Sequence, residues 1–96
     1  MITSIVLEQF KARMRITHNS EDSNLQELLS FSVAYITAKC GAFDFENEQA
    51  KELVFERTRF AYNDALEYFE DSFRSEIHSL GIEMALKAVV PNAPTI

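Results

Sequence analysis

Residues 46–73 contain neither glycine nor proline, and their apolar side chains recur at helical spacing on two faces. At about 100° per residue, Ala50, Leu53, Val54, Phe60, Ala61, Ala65 and Tyr68 make one stripe. Phe55, Tyr62, Leu66, Phe69 and Phe73 make a second, rotated by about 120° from the first. One stripe is what a helix needs to dock on its own domain. A second needs another surface to cover it. The pattern predicts a long third helix, and in a chain of 96 residues its second face is expected to meet another subunit.

The remaining composition limits the fold around that helix. Two Gly and two Pro are too few for the frequent turns of a sandwich or barrel. The expected class is all-α: a small helical bundle of three to four helices with a long third helix and an extended C-terminal tail. Residues 1–90 read as a single helical domain and 91–96 as the tail. A chain of this size can bury roughly 60–65% of its unfolded surface, enough for a core without staples. Cys40, the one cysteine, can form neither an intrachain disulfide nor a cysteine zinc site. It reads as a small buried hydrophobe. No positive region precedes an apolar run at the N-terminus, so no signal peptide is expected. No window approaches eighteen apolar residues, so no membrane span is expected. The free thiol fits a reducing cytoplasm, or something assembled there.

Along the chain, Thr3 can cap a first helix over Ser4–Met14, with Ile2 and Leu7 placed as a hydrophobic staple. Leu7, Phe10 and Met14 form its apolar edge. Ser20 is the expected cap of a second helix that runs to Cys40. Leu25, Leu28, Leu29, Ser32, Ile36 and Cys40 share its core face, flanked by Val33 and Tyr35, and Gly41 suits the position after its end. Phe43 and Phe45 are expected to plug the end of the core, and Asp44 or Asn47 to cap the third helix. A fourth helix is expected from about residue 75 to 89 on the spacing of Ile77, Leu80, Met84 and Ala88, with Gly81 allowing close approach. Pro91 stops it.

No cofactor, metal or catalytic constellation emerges. His18 and His78 stand apart, and nothing resembles a HExxH pair, a GxSxG elbow or a phosphate-cradling loop. The carboxylates fall at helix starts and on a polar strip, where solubility explains them. The chain is not expected to be an enzyme or to take a small-molecule substrate. The formal net charge of −6 is uneven: Lys11, Arg13 and Arg15 outweigh Glu8 in the first twenty residues, and acids dominate the rest. An acidic body repels phosphate, and a recognition helix would need more basic and amide side chains than Lys39 alone supplies. The basic trio is either a solvated face or a set of partners for an acidic neighbour. Arg57 and Asp64, on the border of the first stripe, are paired or at an interface.

The order of these features resembles a known family. The segment LEQFKARMRITHNSEDSNLQELLSFSVAYITAKCG is similar to the opening of the head–tail connector, or adaptor, proteins of long-tailed bacteriophages and related prophages. Arg15-Ile16, Asp22, Leu25, Leu28-Leu29 and Tyr35-Ile36 carry the likeness. ELVFERTRFAYNDALEYFEDSFRSEIHSLGIEMAL resembles the long third helix and C-terminal element of a branch from phages of Gram-positive bacteria, through Arg59, Tyr62-Asn63-Asp64-Ala65 and Phe69-Glu70. Many relatives have longer connections or C-terminal parts. The resemblance, over residues 5–88, implies a structural protein of the virion neck, made in the bacterial host cytoplasm. Its copies would form a ring under the portal, extend the DNA channel and join the head to the stopper and tail-completion proteins. DNA would pass without sequence-specific binding. On that reading Phe55, Tyr62, Leu66, Phe69 and Phe73 are the expected subunit interface. Val89, Val90, Pro91 and Ile96 belong to a segment expected to dock on portal or neighbour, and Lys11, Arg13, Arg15, Arg57 and Asp64 are the charged interface candidates. Two other classes stay open: a small helical DNA-binding regulator and an acidic protein-interaction module.

Overall fold

The architecture follows from how each helix starts and stops. The structure, a computed structural model, describes residues 2–89. It contains α1 (Ser4–Met14), α2 (Asp22–Cys40), α3 (Glu48–Tyr62) and α4 (Phe69–Val89), with a single 3₁₀ turn at Leu66–Tyr68 between the last two. No strand occurs among the described residues, and the fold is all-α as the composition implies.

Side-chain caps set two of the starts. Thr3 Oγ1 accepts the Val6 N–H at 3.2 Å, and Asn47 Oδ1 accepts the Ala50 N–H at 3.0 Å, each satisfying a donor the helix leaves unpaired. Ser20 does not cap α2. Its hydroxyl lies 2.8 Å from His18 Nδ1, and the flanking residue is Glu21, which makes no side-chain cap bond. The connector closes on itself instead, with the Asp22 N–H donating to the Asn19 carbonyl.

Two of the helix ends share one device. After α1, Arg15 takes a left-handed backbone with φ 60°. Its N–H donates to the Ala12 carbonyl at 3.2 Å, and the Ile16 N–H donates to the Lys11 carbonyl at 2.9 Å. This is the double-bonded C-cap in which glycine usually sits. After α3, Asp64 repeats it: φ is 60°, its N–H reaches the Ala61 carbonyl at 3.2 Å, and the Ala65 N–H reaches the Phe60 carbonyl at 2.8 Å. The third helix therefore stops at Tyr62, well short of Phe73. Asparagine and aspartate tolerate the left-handed region better than most residues, so Asn63-Asp64 ends the helix without glycine or proline. α4 accordingly begins at Phe69, earlier than its apolar spacing suggests, and leaves helical geometry once, at Phe73 (φ −120°, ψ 19°).

Packing centres on α2, which buries Leu25, Leu29, Ser32, Ile36 and Cys40. α1 lays Val6, Leu7 and Phe10 into the core, α3 adds Ala50, Leu53 and Val54, and α4 adds Ile77 and Leu80. The buried hydroxyls form a short relay. Thr58 Oγ1 lies 2.9 Å from Ser32 Oγ and 2.8 Å from the Val54 carbonyl. A hydroxyl carries one proton, so Thr58 gives its own to the carbonyl and takes that of Ser32, whose oxygen accepts from Arg57 Nη1 at 3.2 Å. α4 sits close against the end of α2. The Cys40 S–H donates to the Ile77 carbonyl at 3.3 Å, and a Cβ on Gly81 would stand 3.8 Å from the Lys39 carbonyl oxygen and 4.0 Å from Cys40 Sγ. Phe43 and Phe45 meet edge to face at 6.0 Å and pack on the core from the α2–α3 connector.

The molecule measures 55 × 28 × 17 Å. Its thickness matches two helix layers packed at an interaxial distance of about 8–10 Å.

Replacing Arg15 by glycine should raise stability by about 0.5–1 kcal/mol, because it removes the Cβ penalty of the left-handed cap. A thermal melt would show this as a Tm higher by a few degrees, with Arg15→Ala giving no gain.

Candidate functional site

The five residues of the second stripe do not share one surface. Phe55 is 2% exposed and Phe69 1%. Phe10 meets the Phe55 ring edge to face at 5.5 Å, and the Arg13 guanidinium lies over that ring at 5.1 Å. Phe69 stacks on Phe73 at 5.1 Å and meets Phe60 at 5.8 Å and Tyr35 at 6.2 Å. The cause is the break at residues 63–65, which turns the chain so that Phe69 returns onto Phe60. Tyr62 and Phe73 are half-buried, and Leu66 is exposed. Tyr62 Oη donates to Glu21 Oε2 at 3.0 Å, tying the end of α3 to the start of α2. That hydrogen bond to a carboxylate pushes the Tyr62 phenol up.

Of the basic trio, Lys11 and Arg13 pair within their own chain rather than with a neighbour. The Lys11 side chain is 3% exposed. Its Nζ donates to Asn19 Oδ1 at 2.7 Å and Asp22 Oδ1 at 2.8 Å, with Glu8 at 3.9 Å. Burial of an ammonium is tolerated only with such partners, and these lock α1 to the start of α2. The sequence carried a signal for this: Lys11 stands one turn from both Leu7 and Met14, inside the apolar edge. Arg13 grips Glu52 through both terminal nitrogens at 2.8 and 3.0 Å and reaches Glu56 at 3.2 Å. Arg59 donates to the other oxygen of Glu56 at 2.6 Å. The hydrogen bond from Arg13 holds the Glu52 carboxyl below its ordinary value, and Arg13 is raised in turn. Arg15 is exposed, with its backbone closing α1. Arg57 lies over the Tyr35 ring at 4.5 Å, and burial pulls it below the usual arginine value. Asp64 acts through its backbone, as the stop of α3.

Large apolar side chains stay uncovered on α1 (Ile5, 69%), on α2 (Phe31, 57%) and, in greater number, from the 3₁₀ turn through α4. Leu66 is 39% exposed, Tyr68 62%, Ile82 50% and Leu86 60%. Ile82 and Leu86 are one turn apart on the face of α4 opposite Leu80 and Phe73. Sequence reading passed over this pair, although its spacing is that of a docking edge. Beside it an open groove between α2 and α4 is lined by Lys39, Glu70, Ile77, His78, Gly81 and Ala85. Val89 closes α4, while Val90, Pro91 and Ile96 lie outside the described residues.

For chemistry the surface offers little. No group of three His, Cys, Asp or Glu side chains converges as a metal would need among the described residues. Burial pushes the Cys40 thiol up, away from the thiolate a nucleophile needs. No described helix is long and apolar enough to cross a membrane.

Lys11→Met should cost about 2–3 kcal/mol, because it strands Asp22 and Asn19, whereas Arg13→Ala should cost below about 1 kcal/mol at a half-exposed site. Chemical denaturation of both variants measures the contrast. Since folding lowers the Glu52 pKa, its contribution is present above the ordinary carboxylate value and lost as pH falls through the folded one. The stability difference between wild type and Glu52→Gln should therefore hold at neutral pH and close in acid.

A family model for phage gp6-like head–tail connector proteins matches residues 4–80. No curated protein and no solved structure matches the chain. The matched span runs from the first residue of α1 to Leu80, a fully buried side chain of α4. The chain belongs to the phage gp6-like head–tail connector family and is a structural connector between phage head and tail.

Proposed function

We propose that this connector is an adaptor subunit that assembles as a ring beneath the portal of the filled head, at the virion neck. The ring extends the DNA channel and offers its far side to the stopper or tail-completion protein. DNA slides through without being read, since an acidic wall repels phosphate. The observation that carries this reading is the apolar surface left bare on a slab 17 Å thick: Leu66 and Tyr68 are exposed at the α3–α4 junction beside the half-buried Tyr62 and Phe73, and Ile82 and Leu86 are exposed further along α4. Large apolar side chains left bare in such number on a small chain mark a protein contact. We assign the subunit contact to Tyr62, Leu66 and Phe73 at the α3–α4 junction. The C-terminal segment that begins at Val89 is the proposed portal-docking element.

Duplex recognition is disfavoured because the two best-placed cations, Lys11 and Arg13, are already spent on Asp22, Glu52 and Glu56. A module that binds one partner as a monomer would leave mass unchanged with concentration.

Light scattering over a concentration series, alone and with the portal encoded by the same genome, tests the reading. A ring, alone or on portal, is expected; a monomer that ignores portal contradicts it. Leu66→Asp should lower ring formation at least tenfold while leaving the melting curve near wild type. Tyr62→Asp is a poorer probe, because it would set a carboxylate against Glu21 within the chain.

A further inference from the structure

On the reading that the chain forms a ring, we propose that α4 is exchanged between neighbouring copies. In the free subunit α4 lies along its own α2. In the ring it takes the same seat on the α2 of the next copy, and residues 63–68 continue α3 as helix.

Three observations converge on this. The first is a phase that survives a break. Phe55, Tyr62, Leu66, Phe69 and Phe73 follow a coiled-coil spacing of seven, four, three and four, as one continuous helix would need. The subunit as folded cannot use that seam. Phe60 and Phe69 touch at 5.8 Å, whereas in an unbroken helix they would lie about 13.5 Å apart along the axis on opposite faces.

The second is the hinge. Only residues 63–65 separate α3 from the 3₁₀ turn, and Asp64 holds φ 60° where a non-glycine residue pays for the conformation. Phe73 supplies a second joint with non-helical φ and ψ inside α4. Short hinges under strain favour exchange of the element they carry.

The third is the seat itself. It consists of the Cys40 thiol on the Ile77 carbonyl, Gly81 against the end of α2, and Lys39 paired with Glu70 at 3.2 Å. An α4 from a second copy makes identical contacts, so exchange keeps Ile77 and Leu80 buried and releases the strained turn. It also sets Tyr62, Leu66 and Phe73 on one face. Each copy gives one α4 and receives one, the head-to-tail relation that closes rings.

Gly81→Cys reads the exchange directly. Its new Cβ stands 4.0 Å from Cys40 Sγ and meets nothing nearer than the Lys39 oxygen at 3.8 Å. Rings of this variant assembled on the portal are oxidised and run on a denaturing gel without reductant. Exchange gives covalent multimers, and a free subunit oxidised beforehand gives a single-chain band and fails to assemble until reduced. Single-chain bands from oxidised rings, with pre-oxidised subunits assembling normally, would overturn the proposal and leave the ring reading standing. A wild-type chain that never assembles removes both. Should the cystine fail to close, hinge variants decide. The double change Asn63→Ala with Asp64→Ala should lower the assembly midpoint about fivefold, and Asp64→Gly should raise it by a similar factor. Equal midpoints overturn the exchange.

Discussion

The buried strip of α2 is the constraint that places the other helices. α1 lies against the N-terminal end of α2, fixed there by the Lys11 ammonium between Asn19 and Asp22. Ser32 receives Thr58 of α3 through the hydroxyl relay, and Cys40 receives the Ile77 carbonyl of α4. One helix serving three neighbours produces a slab rather than a closed bundle. With all three seats on one strip, the outward sides of α3 and α4 have nothing left in the chain to cover them. The exposed Leu66, Tyr68, Ile82 and Leu86 follow from that geometry, and so does the need for a partner.

Polar groups on the closed side are saturated. Among the described residues no buried side-chain nitrogen or oxygen lacks a hydrogen-bond partner, and Arg13 joins α1 to the carboxylates of α3 over the face of Phe55. An interface there would have to break charge-assisted bonds that already exist. At the α3–α4 junction Tyr62 bonds Glu21 and Lys39 pairs with Glu70, while Leu66 and Tyr68 stand bare. Four of the six exposed large apolar side chains lie from Leu66 onward, in keeping with a family whose members connect head to tail.

How much of this was legible in the sequence depended on whether the signal was local. The start of the first helix was readable because Thr3 caps it. The α2 core face was readable because Leu25, Leu29, Ser32, Ile36 and Cys40 keep a single period. The stop of α3 was not, since the left-handed cap is built from Asp64 where glycine would have announced it. Phe55 and Phe69 were misplaced on an outer stripe for that reason: periodicity sees spacing and not a backbone reversal between Tyr62 and Leu66. The hydrogen-bond partners of Lys11 lie 8 and 11 residues away across a connector, and those of Arg13 lie 39 and 43 away, beyond what a helical pattern can pair. Arg15-Ile16 and Tyr62-Asn63-Asp64-Ala65, which carried the family resemblance, proved to be the two left-handed caps.

Amide hydrogen exchange on the free subunit and on its complex with portal tests the central claim, that the α3–α4 side is the one a partner covers. The account predicts new protection over residues 62–73 and along α4, with the α1–α2 connector unchanged. Protection gained only at the connector and the Arg13 face, or at neither side, would contradict it.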